Sequence, residues 1–251
     1  MQPRIKTTAE IAEMRTGGKI LGTIFQRLRG YIQPGMTERE INDWVEKEIH
    51  ALGATPTYKE PTVNFPGVVC ISTNDKVVHG VPTDHELQIG DVVGFDLVIT
   101  YNGMKTDSAF TVVVGEEPRA DKKRLLEYTE RSLYDGISII RDGVRTGDIG
   151  VAIQKTLQAG KLGIVREMVG HGIGHEMHEA PDVPNYGMAG QGQLLKAGMT
   201  IAIEPMATLG RERIKLDRDN WTLRTRDRSL AAHFEHTVLI TQDGYEILTQ
   251  L

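Results

Sequence analysis

One cysteine, no basic stripe and no long apolar run set the first limits on this 251-residue chain. A lone Cys70 excludes an internal disulfide and points to a reducing compartment. Lysine and arginine number 29 against 34 acids, a net charge of −5, and the positive residues are interspersed. That pattern lacks the concentrated basic footprint of a nucleic-acid binder. No stretch approaches the roughly 20 apolar residues of a membrane span, and Met1 to Glu10 hold no signal-peptide core. The expected setting is therefore the cytoplasm, with no membrane or nucleic-acid partner. Neither Gly-x-Ser-x-Gly nor Gly-x-x-x-x-Gly-Lys-Ser/Thr occurs, so serine hydrolysis and P-loop phosphate binding find no support.

What is present reads as one α/β core. Hydrophobic residues make up 39% and charged ones 25%, the balance of an ordinary globular chain. Thr7 and Glu10 have capping-box spacing, and Ile11, Met14, Leu21, Phe25, Leu28 and Ile32 follow as a helical stripe ended by Pro34-Gly35. Thr37 and Glu40 cap a second helix through Ile41, Trp44, Val45, Ile49 and Leu52. Strand-like sequence covers 68–72 and 92–114. A third helix through Leu125, Leu126, Leu133, Ile137 and Ile140 is expected to end near Asp142-Gly143. A fourth, through Ile149, Ile153 and Leu157, stops at Gly160, and β-rich sequence covers about 200–251.

Helix, glycine turn, helix and strands thus occur twice. Gly35…Ile41 recurs as Gly143…Ile149 and Gly90…Asp96 as Gly198…Glu204, both 108 residues on. An internal duplication with halves of about 1–115 and 116–251 within one domain, 1–251, is expected. It would set Asp96 and Glu204 opposite each other across a pseudo-twofold axis.

Asp96, Asp107, His171, Glu204 and Glu235 each stand in apolar strand or glycine-rich sequence. An ionised carboxylate is costly to bury unless it is paired or binds a metal, and four together repel at low dielectric. Divalent cations resolve both problems. Asn102-Gly103 is a type I′ hairpin signal; pairing about it opposes Asp96 to Ala109 and Asp107 to Val98. The two aspartates are then diagonal neighbours on one face, with Cα atoms roughly 7–8 Å apart. In Val169-Gly-His-Gly-Ile-Gly-His-Glu-Met-His-Glu179 the glycines argue for a loop or strand end rather than a zinc-protease helix. His171 is the favoured ligand there and His178 a donor to a reacting group. Strand parity sets Glu235 with Thr237 and Leu239, opposite His236. Glu204 or Glu235 alone would more often be a structural acid with a salt-bridge partner, and His79 and Cys70 alone read as core residues. One imidazole with four carboxylates suits Mn, Fe(II), Co or Zn, and two such ions suit amide or ester hydrolysis.

Taken together, Cys70-Ile-Ser-Thr-Asn74, Val78-His-Gly-Val-Pro82, Asp96 with Asp107, Gly170-His-Gly-Ile-Gly174, Met177-His-Glu-Ala-Pro181, Ile203-Glu-Pro-Met206, Trp221 and 227–237 resemble type I methionine aminopeptidases over nearly the whole chain. The resemblance implies the pita-bread fold, two pseudo-twofold-related helix-helix-sheet halves around a dinuclear site. It implies two divalent ions (Co, Mn, Fe(II) or Zn) held by Asp96, Asp107, His171, Glu204 and Glu235, with Asp107 and Glu235 bridging. By the same resemblance Glu204 relays a proton from a shared water to the leaving amine. His178 donates to the scissile carbonyl, His79 contacts substrate, and Phe65, Cys70, Met177 and Trp221 stand at methionine-pocket positions. The implied substrates are nascent polypeptides with a free N-terminal methionine and a small second residue, cut by a monomeric, bacterial-type catalytic core. Departures from the family pattern are local. Thr62-Val63-Asn64 replaces an aromatic-basic-glycine segment, and Gly94, Thr106, His175 and Met177 replace Asn, Gly, Arg and Phe. Two rivals remain: a proline-specific peptidase of the same architecture, and a metal-free module that only binds peptides.

Overall fold

In the computed structural model, which describes residues 3–251, each half begins with a helix pair, as the apolar stripes require. Met1 and Gln2, part of the segment searched for a signal peptide, lie outside the described residues. Helices α1 (Thr8–Tyr31) and α2 (Glu38–Ala51) precede β1 (Thr55–Pro56), β2 (Cys70–Thr73), β3 (Lys76–Val78), β4 (Val92–Tyr101) and β5 (Met104–Val113). Helices α3 (Ala120–Ile137) and α4 (Thr146–Ala159) precede β6 (Gly163–Ile164), β7 (Gly170–Gly172), β8 (Glu179–Val183), β9 (Thr200–Ile203) and β10 (Met206–Thr208). The chain closes with β11 (Ile214–Leu216), β12 (Leu223–Thr225), β13 (Ala231–His233), β14 (Glu235–Ile240) and β15 (Tyr245–Ile247). No helix among the described residues is long and apolar enough to cross a membrane.

Both expected capping boxes form: Thr7 N donates to Glu10 at 2.7 Å and Thr37 N to Glu40 at 2.8 Å. The third helix stops at Ile137 rather than near 142. Ile140 is still buried, but from a turn in which its N–H reaches Ile137 O at 3.0 Å. A three-residue apolar spacing is compatible with either conformation, so periodicity overran the helix end.

The central sheet has nine strands in the order β1-β4-β5-β14-β9-β7-β8, with β2 on β4 and β15 on β14, and its pairs are antiparallel. The α/β expectation therefore resolves into the α+β form. Phe95, Leu97 and Ile99 of β4 join Leu21, Leu28, Ile41 and Ile49 of the helices in one buried cluster. Alternation turns Asp96 and Val98 to the other face.

The 108-residue offset reappears in the backbone. Gly35 N donates to Leu87 O at 2.7 Å and Gly143 N to Leu195 O at 2.9 Å. The bridge Thr37↔Glu86 has its counterpart in Arg145↔Leu194. Gly35 and Gly143 take φ of +88° and +89°, and Gly90 and Gly198 take +90° and +85°. A side chain rarely adopts such values, which is why glycine marks the same turn in both halves.

Candidate metal centre

The Asn102-Gly103 turn has positive φ at both residues, 46° and 81°, as a type I′ turn requires. It sets the expected register, with Asp96 opposite Ala109, Val98 opposite Asp107 and Tyr101 opposite Met104. From there parity carries the site across the sheet. Ala109 pairs with Glu235, which puts Asp107 and Glu235 on one face. His236 pairs with Ile203, so the next positions, Glu235 and Glu204, face the same way. Gly172 pairs with Ile201, which adds His171. Five adjacent strands therefore each send one polar group to the same face.

All five groups are buried, between 2% and 7% exposed, where an unpaired charge is expensive. His171 Nε2 lies 3.4 Å from Glu204 Oε1 and 3.9 Å from Asp107 Oδ2. Donor atoms of Asp107, His171 and Glu235 lie within 4.8 Å of one another. The His171 Nδ1–H donates to Gly172 O at 3.0 Å, which leaves the Nε2 lone pair pointing at the carboxylates. Burial holds the His171 ring neutral, its pKa pushed down to about 3. A lone pair facing carboxylate oxygens has no proton to share, an arrangement that suits a cation between them. Asp107 Oδ1 and Glu235 Oε1 are likewise enclosed without a hydrogen-bond partner.

Burial raises Asp96 to about 6. Burial first, then the neighbouring carboxylates, raises Asp107, Glu204 and Glu235 well above the usual range. Four carboxylates and an imidazole form a donor set that fits borderline or hard divalent ions and lacks the thiolates of a structural zinc site.

The centre forms one wall of a cavity of about 360 Å³ that His79, His178 and Met177 also line. The His178 ring stands edge-on to His171, with centroids 4.4 Å apart. His79 adopts φ +56°, a strained value for a non-glycine residue. Gly80 beside it abuts Ile71, where a Cβ would lie 2.1 Å from the carbonyl oxygen. Phe65, Cys70, Met177 and Trp221 share one apolar cluster, but of these four only Met177 lines the cavity.

Three features escaped sequence reasoning. Tyr58 lines the cavity and donates its hydroxyl to Asp96 Oδ1 at 2.9 Å. No local signal marks it beyond an aromatic in a polar segment. Lys6 Nζ pairs with Glu179 at 2.6 Å, both side chains almost fully enclosed. Glu179 follows His178 and also accepts from His175 N at 2.8 Å and Glu176 N at 3.1 Å, so the N-terminal segment clamps the loop carrying His178. His175 on the same loop bonds Glu10 at 2.7 Å. His233, third, sits beside Glu204 and Glu235.

Residues 12–242 match metallopeptidase family M24. Methionine aminopeptidase 1 of Bacillus subtilis (strain 168) is 41% identical over 246 residues, covering 98% of both chains. The crystal structure of methionine aminopeptidase from Thermotoga maritima superposes with a TM-score of 0.96 at 39% identity, covering 100% of both. Prolidase from Pyrococcus furiosus gives 0.78 at 26% identity; the match spans 98% of this chain but 65% of the prolidase.

Proposed function

The chain belongs to metallopeptidase family M24, and from that premise we propose that it is a methionine aminopeptidase of the pita-bread fold whose five buried donors hold two divalent ions. The observation that carries the assignment is the row of Asp96, Asp107, Glu235, Glu204 and His171 on one face of five neighbouring strands. Asp107 and Glu235, diagonal neighbours on the adjacent strands β5 and β14, would be the pair placed to hold both ions. Mn, Fe(II), Co and Zn all suit the donor set. Bound there, such ions bring the pKa of a shared water towards neutrality and polarise a carbonyl oxygen.

The remaining steps belong to the protein. Glu204 accepts the water proton and passes it to the leaving amine. His178, neutral because burial lowers its pKa, donates to the scissile carbonyl oxygen. His79, on its strained turn, contacts the substrate amide. Met177, backed by Phe65, Cys70 and Trp221 in the same apolar cluster, forms the methionine subsite, and a small second residue is the preference the family resemblance implies. The substrates are nascent chains and peptides with a free N-terminal methionine, met in the cytoplasm by a monomer. We further read 1–251 as one catalytic unit whose halves, about 1–115 and 116–251, descend from a duplicated segment; the paired turn bonds support this.

Chelated protein reloaded with Mn, Co or Fe(II) should release methionine from Met-Ala-x and Met-Gly-x peptides and leave x-Pro-x peptides intact. Loaded protein that leaves both methionine peptides uncut ends the assignment. Preferential cleavage of x-Pro-x would move it to the proline-specific branch.

A further inference from the structure

We propose that His233 is a positioning residue that donates its Nε2–H to Glu204 and fixes the orientation of that carboxylate, a role that rests on Glu204 acting as the proton relay. The His233 ring is 3% exposed, and its Nε2 is enclosed with no hydrogen-bond partner. Two carboxylate oxygens of the proposed centre lie just beyond hydrogen-bond distance: Glu204 Oε2 at 3.6 Å and Glu235 Oε2 at 3.8 Å. The backbone beneath the ring is fixed by reciprocal bonds with Thr111, His233 N to Oγ1 at 3.0 Å and Oγ1 to His233 O at 2.7 Å. The ring therefore cannot drift far from the two carboxylates.

The strand register explains why a polar group stands there. In the first half Asp96 opposes Ala109, and Asp107 lies two residues before Ala109. In the second half His236 pairs with Ile203 and His233 with Met206, one continuous register that sets Glu204 opposite Glu235. The residue two before Glu235 is His233, so it occupies the position equivalent to Asp107. One half thus supplies a carboxylate and the other an imidazole at matching places in the fold.

Chemistry separates His233 from His171. Gly172 O accepts a hydrogen bond from the Nδ1–H of His171, which keeps the proton on Nδ1 and leaves Nε2 as a bare lone pair, the form a cation needs. No such bond strips Nε2 of His233. Facing two carboxylates, that nitrogen is favourable only as an N–H donor, because a lone pair there would meet oxygen lone pairs. The separation is a few tenths of an ångström beyond a hydrogen bond, within reach of a small rotation of the Glu204 side chain. Groups that orient ligands and catalytic carboxylates in this way commonly matter by 10–100-fold.

The test compares His233→Gln, whose amide N–H reaches the Nε2 position, with His233→Asn and His233→Leu, whose side chains do not place a donor there. Each variant is loaded with Co(II), its metal content and visible absorption spectrum are recorded, and kcat and KM are measured on a Met-Ala peptide. The expected result is unchanged metal content in all three and the parental spectrum in the Gln variant. Turnover of the Gln variant should stay within about threefold of the parent, while kcat of the Asn and Leu variants falls about 10–100-fold with KM little changed. Should Leu fail to fold, the Gln–Asn contrast decides alone. Equal turnover in all variants, or a Gln variant no better than Asn, overturns the proposal. So does loss of metal on losing the imidazole, which would make His233 a ligand. If the parent itself releases no methionine, the functional assignment fails instead, and the two failures are told apart by that control.

Discussion

Replacing Lys6 by methionine should destabilise the folded, metal-loaded protein by about 3–5 kcal/mol and slow turnover while leaving the metal centre filled. The Lys6 and Glu179 side chains are 1% and 4% exposed and meet at 2.6 Å. Methionine keeps most of the apolar stem, so the packing loss is small and the main effect is a carboxylate stranded without its counterion. Two backbone N–H groups still hold that carboxylate, yet two neutral donors do not offset the burial of a full charge. The double variant Lys6→Met/Glu179→Gln should recover most of the loss, since removing both charges of a buried pair is far milder than removing one.

The pH dependence has a fixed sign. Burial pushes Glu179 up most strongly, but the Lys6 bond and the neighbouring N–H groups together hold it below its ordinary value. Its contribution to stability is therefore present above the ordinary glutamate range and lost as pH falls through the lower folded value. In Lys6→Met the acid is free to protonate, so the gap between variant and parent should narrow below about pH 5. Urea melts at several pH values measure the stability, and steady-state kinetics with metal analysis measure the rest. A loss under about 1 kcal/mol at pH 7, or unchanged kcat, would refute the idea that the pair clamps the His178 loop.

Further outcomes are expected elsewhere. His79→Ala and His178→Ala should each keep full metal content by elemental analysis and lose about 10²–10⁴ in kcat/KM; emptying of the centre by either change would show that it is a ligand. In chelated protein the raised acids bind protons more tightly folded than unfolded, so stability should fall as pH rises from about 4 to 6. Asp96, raised to about 6, accounts for about 3 kcal/mol of that fall. Saturating Mn or Co should abolish the slope in thermal melts, and a slope that survives metal would contradict the five-donor centre. Gly80→Ala drives a Cβ to 2.1 Å from Ile71 O, so it should cost about 1–3 kcal/mol and reduce turnover by displacing His79; wild-type melting and kinetics would refute the close fit.

Several parts of the site were legible because they obey local rules. Asn102-Gly103 dictates a two-residue hairpin, and a period of two then sets which side chains share a face, so Asp96 and Asp107 could be placed together before any tertiary contact was known. Both threonine-glutamate boxes are local hydrogen-bond patterns, and both form. The glycines at 108-residue spacing mark turns whose φ values admit little else. Other parts had no local signature. Tyr58 lies far from Asp96 in sequence, and the phenol that bonds the carboxylate looks like any aromatic in a turn. Lys6 resembles an exposed N-terminal lysine until β8 brings Glu179 against it across 173 residues.

From the chain alone came the helix pairs, the hairpin register, the five donors and, through the resemblance, the family, because turn chemistry, periodicity and charge in apolar sequence act over a few residues. Folding alone decided which strands lie side by side, and hence that His233 faces Glu204, that Lys6 neutralises Glu179, and that Met177 rather than Cys70 reaches the cavity. Those contacts depend on the order β4-β5-β14-β9-β7, which joins strands from both halves, and no spacing along the sequence encodes a distance between strands that no hairpin connects.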